Sequence, residues 1–396
     1  MFLTQTTLRA TVSVCAILIL SIVATGFVTT AYNRERESLG QSHFNRGQAF
    51  AAGGEMNSAI EEYRQALIFS PDQTDYRLSL ARALMASKRL DEAQAHLEQL
   101  LQEDPTNGVI NLLLARVAVE RHKIPQAVDY YQRAVYEYWP ASEMPARRQA
   151  RWELARLLDQ TGNRSQYIAE LMQLYSNAPA PDLKQVAEIG FLLLRTGATS
   201  EASEIFRELA KNSPRDADAR RGLGEVAFSN GDYVSARHEF QRAQRLAPKN
   251  EQISQALALT NDVIDIDPAL PHISLAERLR RSGNLLARVL KDLQACLPAP
   301  APPQQPAKPA PAGAQPKPGT PPGSKTPQPE PPNPLQQRLD TARQLLSPQK
   351  HSPADDVALQ LQDAAQQLWK DRAMFCGQKS ASDRALDTVL PRIAHE

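Results

Sequence analysis

The side chains best suited to chemistry in this 396-residue chain are its seven histidines and three cysteines, and their spacing argues against most uses of them. His43, His96, His122, His238, His272, His351 and His395 occur singly. No two stand four residues apart, as a helical metal pair requires. There is no HExxH, no Gly-rich phosphate loop, no GxSxG and no pair of CxxC motifs. The expectation is therefore no catalytic residue, no metal, no cofactor, no small-molecule substrate and no enzyme. Carboxylates such as Glu61 and Glu62 read as a solvated helix face supported by pairing at i, i+4. Cys15 lies inside an apolar stretch without the approach of a lipid-attachment motif, and reads as a packing or lipid-facing thiol. Cys296 and Cys376 are different: each ends an amphipathic helical segment, and together they bracket a proline-rich stretch. They are well placed for a disulfide in an oxidising compartment, the alternative being two unrelated buried thiols.

The elements that would carry these residues follow from composition. Lys plus Arg (45) nearly cancel Asp plus Glu (44), so no global field draws the chain onto nucleic acid. Glycine is sparse at 17, proline common at 30, and aromatics only 6%, which suits helices punctuated by proline. The class is all-α. After a short segment of residues 1–9, residues 10–31 (ATVSVCAILILSIVATGFVTTA) carry no charge. As a helix they span roughly 33 Å, enough for a bilayer core. A retained single-pass anchor is expected; the alternative, a cleaved leader, normally has an apolar stretch of only about 7–15 residues. The flanking charges do not choose an orientation. The large body that follows the span favours its translocation outward, and the Ala-, Arg- and Gln-rich composition reads as bacterial, so an inner-membrane anchor with a periplasmic body is expected.

From residue 40 the chain repeats itself. Ala59, Ala93 and Ala127 are 34 residues apart, and so are Tyr63, Leu97 and Tyr131. Self-similarity at this period resembles the tetratricopeptide repeat, a helical hairpin that stacks into a superhelical solenoid. Six repeats can be placed, at 40–73, 74–107, 108–141, 148–181, 183–216 and 217–250. The family's small eighth residue is Gly47, Ala81, Ala115, Ala155, Gly190 and Gly224. Its twentieth residue is Ala59, Ala93, Ala127, Tyr167, Ala202 and Ala236, and its twenty-fourth is Tyr63, Leu97, Tyr131, Leu171, Phe206 and Phe240. Pro71, Pro105, Pro179, Pro214 and Pro248 close five repeats. The small residues let paired helices approach and the large one fills the groove between them. The third repeat departs from this, ending in EYWPASEMPARR with Pro140 one place late. Either a change in pitch or a protruding loop with Trp139 at its base is expected there.

The resemblance also implies a concave groove lined by the first helix of each repeat. Its ninth positions in repeats two to four are Arg82, Arg116 and Arg156; its fifth positions in repeats one to four are Phe44, Leu78, Leu112 and Trp152. Guanidiniums beside an apolar row would suit an extended peptide partner bearing carboxylates. The competing reading pairs these arginines internally with Glu120, Glu153 or Asp159. The family's dicarboxylate clamp for chaperone tails is not matched, because Phe44 and Gln48 stand where Lys and Asn would be needed.

Beyond the repeats, residues 251–297 read as capping helices, with Ser274 as an N-cap candidate. Residues 298–334 hold 16 of the 30 prolines and read as an extended, mostly disordered linker. Residues 335–396 read as three short helices, too few to stand alone comfortably. Two functions are open. In the first, a non-enzymatic membrane-anchored scaffold holds a protein or peptide partner in the groove, in envelope assembly or transport. In the second, the repeats are a stalk or homo-oligomerisation platform and the C-terminal module is the effector. Deleting residues 298–396 should spare partner capture under the first and abolish it under the second.

Overall fold

The computed structural model describes the backbone of residues 2–177, 182–296, 334–347, 353–376 and 383–394. The side chains of residues 2–17, 296, 334, 373 and 375 are outside that description. The proline-rich stretch expected to be a linker lies outside the described residues, as does Pro179. Every regular element among the described residues is helical. The chain divides into two units, residues 1–180 and 181–396, which are taken separately.

The first unit holds α1 (Phe2–Ala52), α2 (Met56–Phe69), α3 (Thr74–Ala86), α4 (Leu90–Glu103), α5 (Gly108–Glu120), α6 (Ile124–Tyr136), α7 (Met144–Gln160) and α8 (Arg164–Ser176). Neighbouring helices pack in pairs along the chain, the end of α1 with α2, α3 with α4, α5 with α6 and α7 with α8. Between Leu18 and Val28 every position of α1 is exposed, among them the large apolar side chains of Leu18 to Leu20, Ile22, Val23, Phe27 and Val28. Among the residues whose side chains are described, no helix is long and apolar enough to cross a membrane. The side chains of residues 10–17, more than a third of the apolar stretch, fall outside that set.

Close approach is visible at the expected positions. A Cβ on Gly47 would lie 2.6 Å from the Tyr63 ring. Ala81, Ala115 and Ala155 are buried, as are their ring or leucine partners Leu97, Tyr131 and Leu171. The insertion after repeat three does not protrude at its base. Trp139, in the place where other repeats carry proline, is buried and donates from Nε1 to the Ala134 carbonyl at 2.6 Å. It sits on Gly108, whose added Cβ would lie 2.1 Å from Nε1. The Gly108 N–H donates to the Tyr138 carbonyl at 3.0 Å, so the segment folds back onto the start of α5. The remaining extra residues form a 3₁₀ turn, Ala141–Glu143, and an additional turn on α7, which starts at Met144 instead of residue 148.

The second unit holds α9 (Leu183–Arg195), α10 (Thr199–Asn212), α11 (Ala217–Ser229), α12 (Tyr233–Leu246), α13 (Glu251–Ile266), α14 (Leu275–Cys296), α15 (Pro334–Leu345), α16 (Ala354–Phe375) and α17 (Arg384–Ile393). Phe206 is wedged between Gly190 and Gly222, whose added Cβ atoms would lie 2.6 and 2.3 Å from its ring. Gly224 meets Phe240 in the same way, at 2.6 Å.

The cap and the C-terminal helices are not separate bodies. Leu285, Leu286 and Val289 of α14 share one apolar core with Leu361 of α16 and with Leu386 and Val389 of α17. Helices α14 and α16 run parallel with a constant offset of 80 residues, as Gln362 Nε2 donates to Ser282 Oγ at 3.0 Å and Arg372 pairs with Asp292. Buried carboxylates are answered by arginines: Asp371 by Arg338 and Asp267 by Arg392, both at 2.7 Å. Pairing of this kind is required once such charges leave water. Ser274 caps α14 as expected, its Oγ accepting from the Glu277 N–H at 3.2 Å. Cys376, at the end of α16, is disulfide-bonded. The side chain of Cys296, its expected partner, lies outside the described residues.

Candidate peptide-binding grooves

In the first unit the arginine row is uneven in its chemistry. Arg116 forks onto Glu153, with Nε to Oε2 at 3.0 Å and Nη2 to Oε1 at 2.8 Å. The Tyr131 hydroxyl donates to the same carboxylate at 2.9 Å. Burial pushes the Glu153 carboxyl up, but the Arg116 bonds and charge outweigh it and hold the group below the usual carboxylate range. Burial and the Glu153 charge raise the Tyr131 phenol. This triad is internally neutralised. Arg82 and Arg156 are exposed, and neither forms an ion pair among the described residues.

Arg82, Leu112 and Arg116 line one pocket of about 310 Å³ between α3, α5 and the insertion; Met85, Val109, Leu113, Trp139 and Ala146 make the rest of its wall apolar, and Glu143 and Gln149 are its other polar lining residues. The other expected residues do not line it. Phe44 stacks on Tyr76 at 4.4 Å between centroids and tilts against Tyr63, so it packs between adjacent helices. Leu78 is half-buried. Trp152 is half-buried too, and its Nε1 is buried without an acceptor among the described residues.

The second unit carries a larger pocket, about 500 Å³, that the sequence reading passed over. Arg221 lies over the Phe191 ring at 3.7 Å to the centroid and reaches Glu225 at 3.2 Å and Asp218 at 3.3 Å. Burial raises the Glu225 carboxyl despite this cation. Gln252 and Gln255 of α13 and Arg384 of α17 complete the rim. The available signal was positional: Phe191 and Glu225 stand at ninth positions of repeats five and six, and Arg221 at a fifth position. Arg384, from beyond the proline-rich stretch, had no such signal. Among the described residues no group of three or more His, Cys, Asp or Glu could hold a metal ion.

Residues 46–143 match the family described as cytochrome c-type biogenesis protein H TPR domain, and residues 189–251 match the tetratricopeptide repeat. It is a tetratricopeptide repeat protein. Among curated relatives, the tetratricopeptide chain is 24% identical over 216 residues to the human protein O-mannosyl-transferase TMTC1, covering 54% of this chain and 20% of that one. It is 36% identical over 69 residues to cellulose synthase 2 operon protein C of Komagataeibacter xylinus, covering 17% of this chain and 5% of that one. The chain thus spans a fifth or less of the length of these relatives. A solved structure described as YrrB, a TPR protein with an unusual peptide-binding site, is 17% identical, covers 50% of this chain and 98% of that one, and superposes with a TM-score of 0.38.

Proposed function

We propose that this tetratricopeptide repeat protein is a non-enzymatic scaffold that holds an extended segment of a protein partner in the groove of its first repeats, close to a membrane. The observation that carries the reading is the pocket shared by Arg82 and Arg116, where one guanidinium is spent on Glu153 and the other forms no ion pair among the described residues, beside a wall that is apolar apart from Glu143 and Gln149. A carboxylate on an extended chain would pair with Arg82 while neighbouring side chains enter the wall. Anchoring through residues 10–31 is supported by the unbroken helix α1 and by the large apolar side chains exposed along it between Leu18 and Val28. A helix segment that is apolar all round needs either a protein core or a bilayer, and residues 18–31 of α1 are exposed, with no core around them among the described residues. The disulfide at Cys376 is what an exported, periplasmic body would form. The biogenesis-type profile and the cellulose synthase operon relative favour a setting in envelope assembly or transport.

The test is crosslinking capture from native membranes with full-length protein. Arg82→Gln should reduce the captured partner strongly at unchanged helicity and melting; undiminished capture would remove the groove of repeats one to four from the reading. Alkaline extraction should leave the wild-type chain with the membrane fraction.

A further inference from the structure

We infer that the second unit holds a separate binding site for an extended acidic peptide, and that the C-terminal helix α17 supplies part of it. The site is the 500 Å³ pocket of repeats five and six, a volume in the range that holds ligands. Its floor is apolar, with Phe191, Phe228 and Leu259 half-buried. Three guanidiniums, of Arg195, Arg221 and Arg384, line it with one carboxylate, Glu225; Arg221 is answered by Glu225 and Asp218, which leaves Arg384 as the lining cation that stands at the rim with no ion pair among the described residues. Arg221 is held flat against Phe191 and tied to Glu225 and Asp218, which fixes its plane. Its Nε is buried and has no acceptor among the described residues.

Arg384 points to the same ligand by a different route. It is the first residue of α17, where a cation meets the positive end of the helix dipole and is disfavoured. No ion pair among the described residues offsets this. The neighbouring Asp383 behaves as an N-terminus demands, accepting from the Ala385 N–H at 3.0 Å. Asp383 is also clamped by Arg288 at 2.6 Å, and Arg288 is held in turn by Asp262 at 2.8 Å. The backbone at Arg384 is thereby fixed to α14 and α13, and its exposed guanidinium stands at the pocket rim. An arginine held in an unfavourable position at the rim of an apolar pocket is accounted for by an anion that arrives from outside. Gln252 and Gln255, exposed on α13, offer amide groups spaced for the backbone of an extended chain. The occupant is therefore a peptide alternating acidic and apolar side chains. The inference does not depend on the groove of the first unit.

The experiment uses the detergent-solubilised full chain and a fluorescent, C-terminally amidated peptide of alternating Glu and Leu, with binding read by anisotropy. Saturable binding is expected, about tenfold weaker for Arg384→Gln and for Arg221→Gln, as befits loss of a charge-assisted bond. Arg384 is exposed, so its variant should keep the wild-type circular dichroism and melting. Arg82→Gln should bind this peptide as the wild type does. Absence of saturable binding overturns the inference, as does wild-type affinity in Arg384→Gln. So does equal affinity for a Gln/Leu peptide, or for a Glu/Ser peptide, which would show that charge complementarity or the apolar floor contributes nothing. Weakening by Arg82→Gln alone would move the binding to the first unit and sink this site while leaving the other reading standing.

Discussion

Lys88 and His122 adopt positive φ values of 58° and 57°. Gly54, Gly162, Gly197 and Gly231 do the same, at 73° to 81°, and all six residues are the fifteenth of their repeats. At each, the following N–H donates back to the residue five earlier, as Arg89 does to Leu84 at 2.9 Å and Asp232 to Ala227 at 2.9 Å. This is the Schellman closure, which favours glycine because a side chain in the left-handed region costs about 1–2 kcal/mol. Lys88→Gly should therefore raise stability by roughly 0.5–1 kcal/mol, read from urea midpoints, once glycine's own entropy is discounted. Gly222→Ala should do the opposite, since the Phe206 ring has no room to retreat; a loss of about 1–3 kcal/mol is expected. Arg116→Ala should lower the melting temperature by stranding half-buried Glu153, where Arg82→Gln should not. The sign with pH follows from Glu153. Its folded carboxyl is held low, so its contribution is complete above the ordinary carboxylate value of about 4.3 and is lost as pH falls below it. Urea midpoints of Glu153→Gln should thus depend less on pH between about 6 and 3 than those of the wild type.

At the scale of elements, the 34-residue period located the paired helices because each small residue answers a large one in its own repeat. Ala93 and Ala236 are fully buried at such crossings, so Ala93→Leu or Ala236→Leu should cost roughly 1–3 kcal/mol in chemical denaturation. The parallel pair α14 and α16 had no comparable signal, because its contacts join residues 80 apart across a proline-rich stretch. The same offset that takes Ser282 to Gln362 and Asp292 to Arg372 takes Cys296 to Cys376. Peptide mapping under non-reducing conditions is expected to find those two cysteines linked; Cys376 joined elsewhere would contradict the register. Cys376→Ser should destabilise the cap by an amount on the order of 4 kcal/mol at most, the chain-entropy value for a loop of about 80 residues.

For the whole molecule, the decisive feature is that α1 runs without interruption from the apolar stretch into repeat one. Arg36 Nη2 donates to the Phe69 carbonyl at 2.8 Å and ties the helix to the end of α2. From Ala31 to Phe44 the helix rises about 20 Å, which in the anchored arrangement proposed above would set the height of the first repeat over the bilayer. A Gly/Ser insertion after Asn33 should leave melting unchanged and lower partner capture from membranes; unchanged capture would mean that the height is irrelevant. Truncation of residues 298–396 is no longer a clean way to separate scaffold from effector. It would strip α14 of the partners that bury Leu285, Leu286 and Val289, and exposed apolar surface should appear as dye binding or aggregation.

The sequence by itself determined what is local and periodic: the helical class, the six hairpins, the small-to-large contacts and the absence of a recognised catalytic or metal motif. These were legible because a repeat writes the same packing requirement many times, so that Gly47, Gly190 and Gly224 announce one crossing. Only the tertiary structure decided which arginine is spent, since Arg82 and Arg116 occupy equivalent positions and, among the described residues, only Arg116 forms an ion pair with a glutamate. It also decided that the C-terminal helices share the core of the cap and bring Arg384 to the rim of a groove begun nearly 200 residues earlier. Long-range contacts of this kind depend on chain closure across a segment without periodicity, and periodicity is what a single sequence displays most clearly.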